Sequence, residues 1–176
     1  MSGHNKWSKI KHKKAATDAA KSKIFGKMAR LISVESKKAN GDVTSPGLLA
    51  VIDRAKAVSM PKDNIDRAIA KGTSADTAAL ESVAYETYGP GGVAVVIDAL
   101  TDNRNRSAAE IKHILSKNGY ELATPGSASW AFTKTYEGYE PNSTVAISKE
   151  GGEKLEHLLE LLDEQDDVQD VYTNAE

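Results

Sequence analysis

The chain has 176 residues, 23 Lys+Arg against 25 Asp+Glu, a formal net charge of -2 and no cysteine. This length allows one domain or two small ones, and the missing thiols exclude disulfides, iron–sulfur clusters and thiolate zinc sites. No apolar run approaches the ~20 residues of a membrane-spanning helix, and the first residues lack the apolar core of a secretory signal.

The small net charge hides a gradient. Residues 1–40 hold 11 Lys+Arg against 2 Asp+Glu, whereas residues 141–176 hold 2 against 10. The opening segment, MSGHNKWSKIKHKK, is the densest part of the basic end. Lys6, Lys9, Lys11, Lys13 and Lys14 can each neutralise a phosphate. His12 lies among them, where neighbouring lysines make a poor site for a metal cation. Trp7 can stack on a base, wedge against a sugar or anchor the segment on the protein. Residues 1–14 therefore read as a basic arm.

From Ala15 to Asn40 the pattern is helical, with Ile24, Phe25, Met28, Leu31 and Ile32 on one stripe. Lys21, Lys23, Lys27 and Arg30 are expected to continue the positive face of the arm along this helix. Asn40-Gly41 gives a stop. Ser45-Pro46 gives a start with a capping side chain, and Leu48, Leu49, Ile52 and Ala55 form the next stripe, to about Ser59. Pro61 opens a third helix containing Ile65, Ala68 and Ile69, closed by Lys71-Gly72. These three helices predict a small bundle over 15–77, followed by a polar linker near 73–80.

Beyond the linker the period changes from 3.6 to 2. Strands are expected at 82–87 and 93–100, joined by the turn Gly89-Pro90-Gly91-Gly92. Ser107 and Glu110 match a capping box opening a helix at 107–118. Further strands are expected at 127–133, 144–148 and 168–172, with a helix at 153–164. Residues 78–176 thus read as one α/β domain with a mostly antiparallel sheet and two helices on one face, and the whole chain as α+β.

Catalytic chemistry is poorly represented. His113 falls between the apolar positions of its helix, and His157 lies among glutamates, where a surface ion pair accounts for it. No histidine pair has zinc spacing with a third ligand nearby, and no serine lies in a G-x-S-x-G context. The glycine turn lacks the G-K-[ST] of a phosphate loop and leads into a strand. In TDNRNR, residues 101–106, Arg104 and Arg106 precede an expected helix N-terminus, where two guanidinium forks could grip phosphates. Local pairing with Asp102 and Glu110 is the competing reading. No catalytic residue, cofactor or metal site is assigned.

GHNKWSKIKHKKAATDAAKSKIFGKMAR, MPKDNIDRAIAKG, YGPGGVAVVIDALTDNRNRSAAEIKH and DDVQDVYTN, in this order, resemble the YebC family. That family includes bacterial probable transcriptional regulators and the mitochondrial translational activator of cytochrome oxidase. The resemblance implies a cytoplasmic, non-enzymatic protein acting on gene expression, with a helical domain followed by α/β domains. Family members usually carry an extra domain between the strands matching 127–133 and 144–148, which here are joined only by residues 134–143. The chain looks like a short form without that third domain. The expected partner is nucleic acid, either DNA in transcriptional regulation or ribosomal RNA in a ribosome-associated translation factor. An enzyme acting on a phosphorylated substrate at Arg104 and Arg106 is the remaining alternative, and it has no base nearby.

Overall fold

The computed structural model describes residues 17–75 and 79–176. The basic arm falls outside the described residues. The chain divides into two compact units at Leu80/Glu81.

The first unit is built from α1 (Asp18–Lys38), α2 (Pro46–Ala57) and α3 (Lys62–Thr73). Thr17 caps α1, its Oγ1 accepting from Ala20 N–H at 3.2 Å. Asn40 and Gly41 both have positive φ, the left-handed turn that the sequence signal implies. The apolar stripes converge on Ile32, Leu48 and Ala55, all fully buried. Two expectations at helix ends need correction. Ser45 stands at the N-cap of α2 but makes no side-chain capping bond. Gly72 does not close α3, because it lies inside the helix where α1 crosses. A Cβ there would overlap the Ser33 carbonyl oxygen. Ser33 and Ser36 add hydroxyl donors to the Ala68 and Ile69 carbonyls of α3, at 3.0 and 2.7 Å. Small residues thus bring the two backbones close enough for side chain-to-backbone bonding.

The second unit holds β1 (Glu81–Tyr88), β2 (Ala94–Thr101), α4 (Arg104–Lys117), β3 (Phe132–Thr135), β4 (Gly138–Pro141), α5 (Lys149–Glu164) and β5 (Val168–Thr173). The main sheet has the order β1-β2-β5 with both pairings antiparallel. Alternation along the central strand serves two cores. Val95 and Ile97 face Ile111, Leu115, Leu158 and Leu162, so α4 and α5 cover one face as expected. Ala94 and Val96 face Ala131, Phe132 and Tyr172 on the other.

Tertiary structure overrides local signals in this unit at four places. Helix α4 starts at Arg104, earlier than the expected capping box. Asn103 Oδ1 accepts from Arg106 N–H at 3.0 Å, leaving Ser107 fully buried inside the first turns. Residues 127–133 form a short 3-10 turn at Ser129–Ala131, and β3 begins only at Phe132. It pairs with β4 in a hairpin that occupies most of 134–143, where the sequence pattern shows only a connection. Residues 144–148 are not a strand. Val145 makes one isolated bridge to Ala175, and Ser148 caps α5 by accepting from Gly151 N–H at 3.0 Å.

Candidate functional site

Of the residues singled out by charge, Lys6, Trp7, Lys9, Lys11, His12, Lys13 and Lys14 lie outside the described residues. Lys21 and Lys23 are exposed on α1, and Lys27 is instead buried at 8% exposure.

Helices α1 and α3 enclose a cleft of about 430 Å³. Phe25, Gly26 and Ala29 come from α1, and Asn64, Arg67 and Lys71 from α3; Arg30 adds a further cation. Among the described residues the lining includes no carboxylate. The α3 contribution follows from helical spacing, since Asn64, Arg67, Ala68 and Lys71 stand at i, i+3, i+4 and i+7 and share a face. That spacing is legible in MPKDNIDRAIAKG, although hydrophobic periodicity marks only its apolar residues. Arg67 Nη2 donates to Asn64 Oδ1 across one helical turn.

In the second unit, Arg104 and Arg106 part company. Arg104 projects from the first turn of α4 with its side chain 66% exposed, and its nearest carboxylate, Glu81, is 3.7 Å away. Arg106 Nη2 donates to Asp102 Oδ1 and to Asp167 Oδ2, both at 2.9 Å, and its Nε lies 3.9 Å from Glu110. Asp167 is buried and also accepts from Thr101 Oγ1 at 3.1 Å. Its hydrogen bond, then that of Asp102, raises the already high guanidinium pKa. The two-fork phosphate grip expected from TDNRNR is therefore reduced. Arg106 Nη2 clamps the start of α4 to the approach of β5, and Arg104 is the more outward of the two forks.

The GPGG turn is a tight connection: Gly89 N–H donates to the Val93 carbonyl at 2.9 Å, and Gly91 and Gly92 have φ of 70° and 77°. Beside it stands a feature the sequence did not announce. Glu86 is 6% exposed, and its carboxylate accepts from the backbone N–H groups of Gly126, Ala128 and Ser129 at 2.7–2.8 Å. Burial by itself would raise its pKa, but these backbone donors outweigh burial and hold it below the usual glutamate range. The segment so fixed presents Trp130, 65% exposed, whose Nε1 donates to Tyr88 Oη at 3.0 Å. Among the described residues no group of three or more His, Asp or Glu could hold a metal ion, and no helix is long and apolar enough to cross a membrane.

Comparison with known proteins places this geometry in context. Residues 5–75 match the family model described as the TACO1/YebC protein N-terminal domain. Residues 80–137 and 134–175 match, in two pieces, the model described as the TACO1/YebC second and third domain. A protein of Fervidobacterium nodosum named "Probable transcriptional regulatory protein" is 37% identical over 235 aligned positions, covering 99% of this chain and 93% of its own. One of the same name from Thermotoga maritima is 48% identical over 161 positions, covering 90% of this chain and 61% of its own. Alignments longer than these 176 residues identify the present chain as a short form. The crystal structure of a conserved hypothetical protein from Aquifex aeolicus superposes with a TM-score of 0.79 at 31% identity, covering 92% of this chain and 93% of that one.

Proposed function

Because the chain belongs to the TACO1/YebC family, we propose that it is a non-enzymatic regulator of gene expression that works by binding nucleic acid through its basic N-terminal end. Its similar relatives carry the name of probable transcriptional regulators. The observation that carries the reading is the charge gradient: 11 Lys+Arg against 2 Asp+Glu in the first 40 residues of a chain whose net charge is -2. Lys21 and Lys23, exposed on α1, extend that surface beyond the arm. Arg104 is a second cationic point for phosphate, and Arg106 is a weaker one, since its Nη2 is engaged by Asp102 and Asp167. An acidic C-terminal segment favours docking by the basic end, because like charges repel a polyanion elsewhere.

Lysine–phosphate contacts position a protein without reading sequence or sugar. Crosslinking in cells, followed by sequencing of the recovered nucleic acid, distinguishes DNA in transcriptional control from ribosomal RNA in translation. Changing Lys9, Lys11, Lys13 and Lys14 together to Glu is expected to weaken binding sharply. The log–log salt slope should fall by about 0.7–0.9 for each phosphate that is no longer neutralised. An unchanged slope excludes the arm as the binding surface.

A further inference from the structure

Resting on the nucleic-acid reading, we propose that Trp130 is a stacking platform for one unpaired base of a single strand, a contact made by the second unit in addition to the basic arm. The side chain is 65% exposed, although tryptophan is a residue that folds mostly cover. Its one polar atom is already used. Nε1 donates to Tyr88 Oη at 3.0 Å, and that hydroxyl donates in turn to the Ser127 carbonyl. Indole has no further hydrogen-bonding atom. What the side chain offers outward is therefore a flat aromatic face in a fixed orientation.

The backbone on both sides of the ring is pinned. Before it, the Glu86 carboxylate holds the amides of Gly126, Ala128 and Ser129. After it, Asn142 Nδ2 donates to the Trp130 carbonyl at 3.3 Å and Asn142 N–H to the Ala131 carbonyl at 2.8 Å. A buried carboxylate and a hairpin thus order a residue whose own ring is left in water, and such preorganisation lowers the entropy cost of binding.

The surroundings favour a base over a protein surface. Among the described residues, each large hydrophobic side chain that the second unit exposes is aromatic: Tyr88, Trp130 and Tyr136. A protein interface rings its aromatic anchor with further packed contacts. The chain neighbours of Trp130 supply none, since Ala128 and Ala131 are fully buried and Ser129 is polar. Glu137 and Glu140 are exposed on the adjoining β3–β4 hairpin and repel phosphate. The contact is therefore with a base and not with the backbone. Stacking on an aromatic face tolerates any base but needs one outside the duplex stack.

The test uses the full chain. Affinities for a fluorescein-labelled 12-mer oligouridine, an abasic 12-mer and a 12-bp duplex are measured over a range of salt for the wild type and Trp130→Ala, with circular dichroism reporting the fold. The variant should lose about tenfold in affinity for oligouridine, the effect expected for one base–aromatic stack. Its log–log salt slope should stay unchanged, because no phosphate contact is removed. Affinity for the abasic strand and the duplex should stay at the wild-type level. Trp130→Gln serves if Trp130→Ala does not fold. In ¹H–¹⁵N correlation spectra the Trp130 indole signal, identified by its absence from the folded variant, should shift with oligouridine and not with the abasic strand. Equal losses on all three ligands, or a flattened salt slope, overturn the stack and make Trp130 part of a general binding surface. Unchanged oligouridine affinity in folded variants, with binding still abolished by the arm lysine changes, overturns the platform and leaves the functional reading standing. A wild type that binds none of the three defeats the functional reading and the platform together, and leaves the ring to a protein partner.

Discussion

Arg106 Nη2 donates to Asp167 Oδ2 at 2.9 Å across 61 positions of sequence, joining the first turn of α4 to the residue before β5. The carboxylate is buried and the guanidinium is half-exposed, so the pair is not an ordinary surface salt bridge. Removing one partner of a buried charged pair leaves the other unsatisfied. Asp167→Ala, which also releases Thr101 Oγ1, should destabilise the protein by about 1.5–3 kcal/mol. Arg106→Ala should lower the melting temperature while the folded protein keeps its nucleic-acid affinity. Arg104→Ala should do the reverse. A thermal melt and a binding isotherm on the two arginine variants check the division. Loss of affinity in a fully stable Arg106→Ala protein would return Arg106 to the binding surface.

The Glu86 carboxylate makes stability depend on acid pH. Its folded pKa is depressed, so its contribution is fully present above the unfolded value, about 4.3, and is lost as pH falls through the folded value. Glu86→Gln keeps one acceptor but turns an amide N–H₂ toward backbone donors. At pH 7 the variant should be less stable by about 1–3 kcal/mol. The gap to wild type should narrow below about pH 4. Urea unfolding at pH 7 and pH 3 measures both, and a gap that stays constant with pH contradicts this role.

Two glycines on the facing helices of the first unit should respond with opposite signs. Gly72→Ala forces a Cβ into the Ser33 carbonyl and should cost about 1–3 kcal/mol as α1 and α3 are pushed apart. Gly26→Ala meets no atom of the described residues within 4 Å, and it should stabilise α1 by up to about 1 kcal/mol through helix propensity alone. Chemical denaturation of the two variants decides the matter, and destabilisation by Gly26→Ala would mean that the helix needs the glycine for its own packing.

We propose that the second unit folds independently. It has its own two-sided core, with Val95 and Ile97 against α4 and α5 and Val96 against Phe132 and Tyr172. Residues 78–176 expressed alone should show a cooperative thermal transition by circular dichroism. A fragment without one would show that the units share stability.

Much of this architecture was legible along the chain. The 3.6-residue stripes of α1, α2 and α3, the stop at Asn40-Gly41, the near-continuous apolar run of the buried strand β2 and the leucine face of α5 are local patterns, and each element follows its own. The exposed Lys21 and Lys23 were likewise visible as composition, while the basic arm lies outside the described residues. Tertiary contacts decided the rest. The start of α4 moved to Asn103 because the sheet face buries Ser107, leaving it no role as a cap. Residues 126–129 bend because Glu86, some 40 positions earlier, holds three of their amides. Gly138 is required because the ring of Tyr172 occupies the place of its Cβ, which no neighbour in sequence foretells. Arg104 and Arg106 read alike in TDNRNR; local pairing with Asp102, the competing reading, and the arrival of Asp167 from the far end of the chain separate them. The cleft arises in the same way: its aromatic wall and its cations belong to two helices whose periodicity is local, but whose crossing depends on Gly72, Ser33 and Ser36. Periodicity tells each segment which face to bury, whereas a partner distant in sequence is chosen by packing and charge compensation in three dimensions.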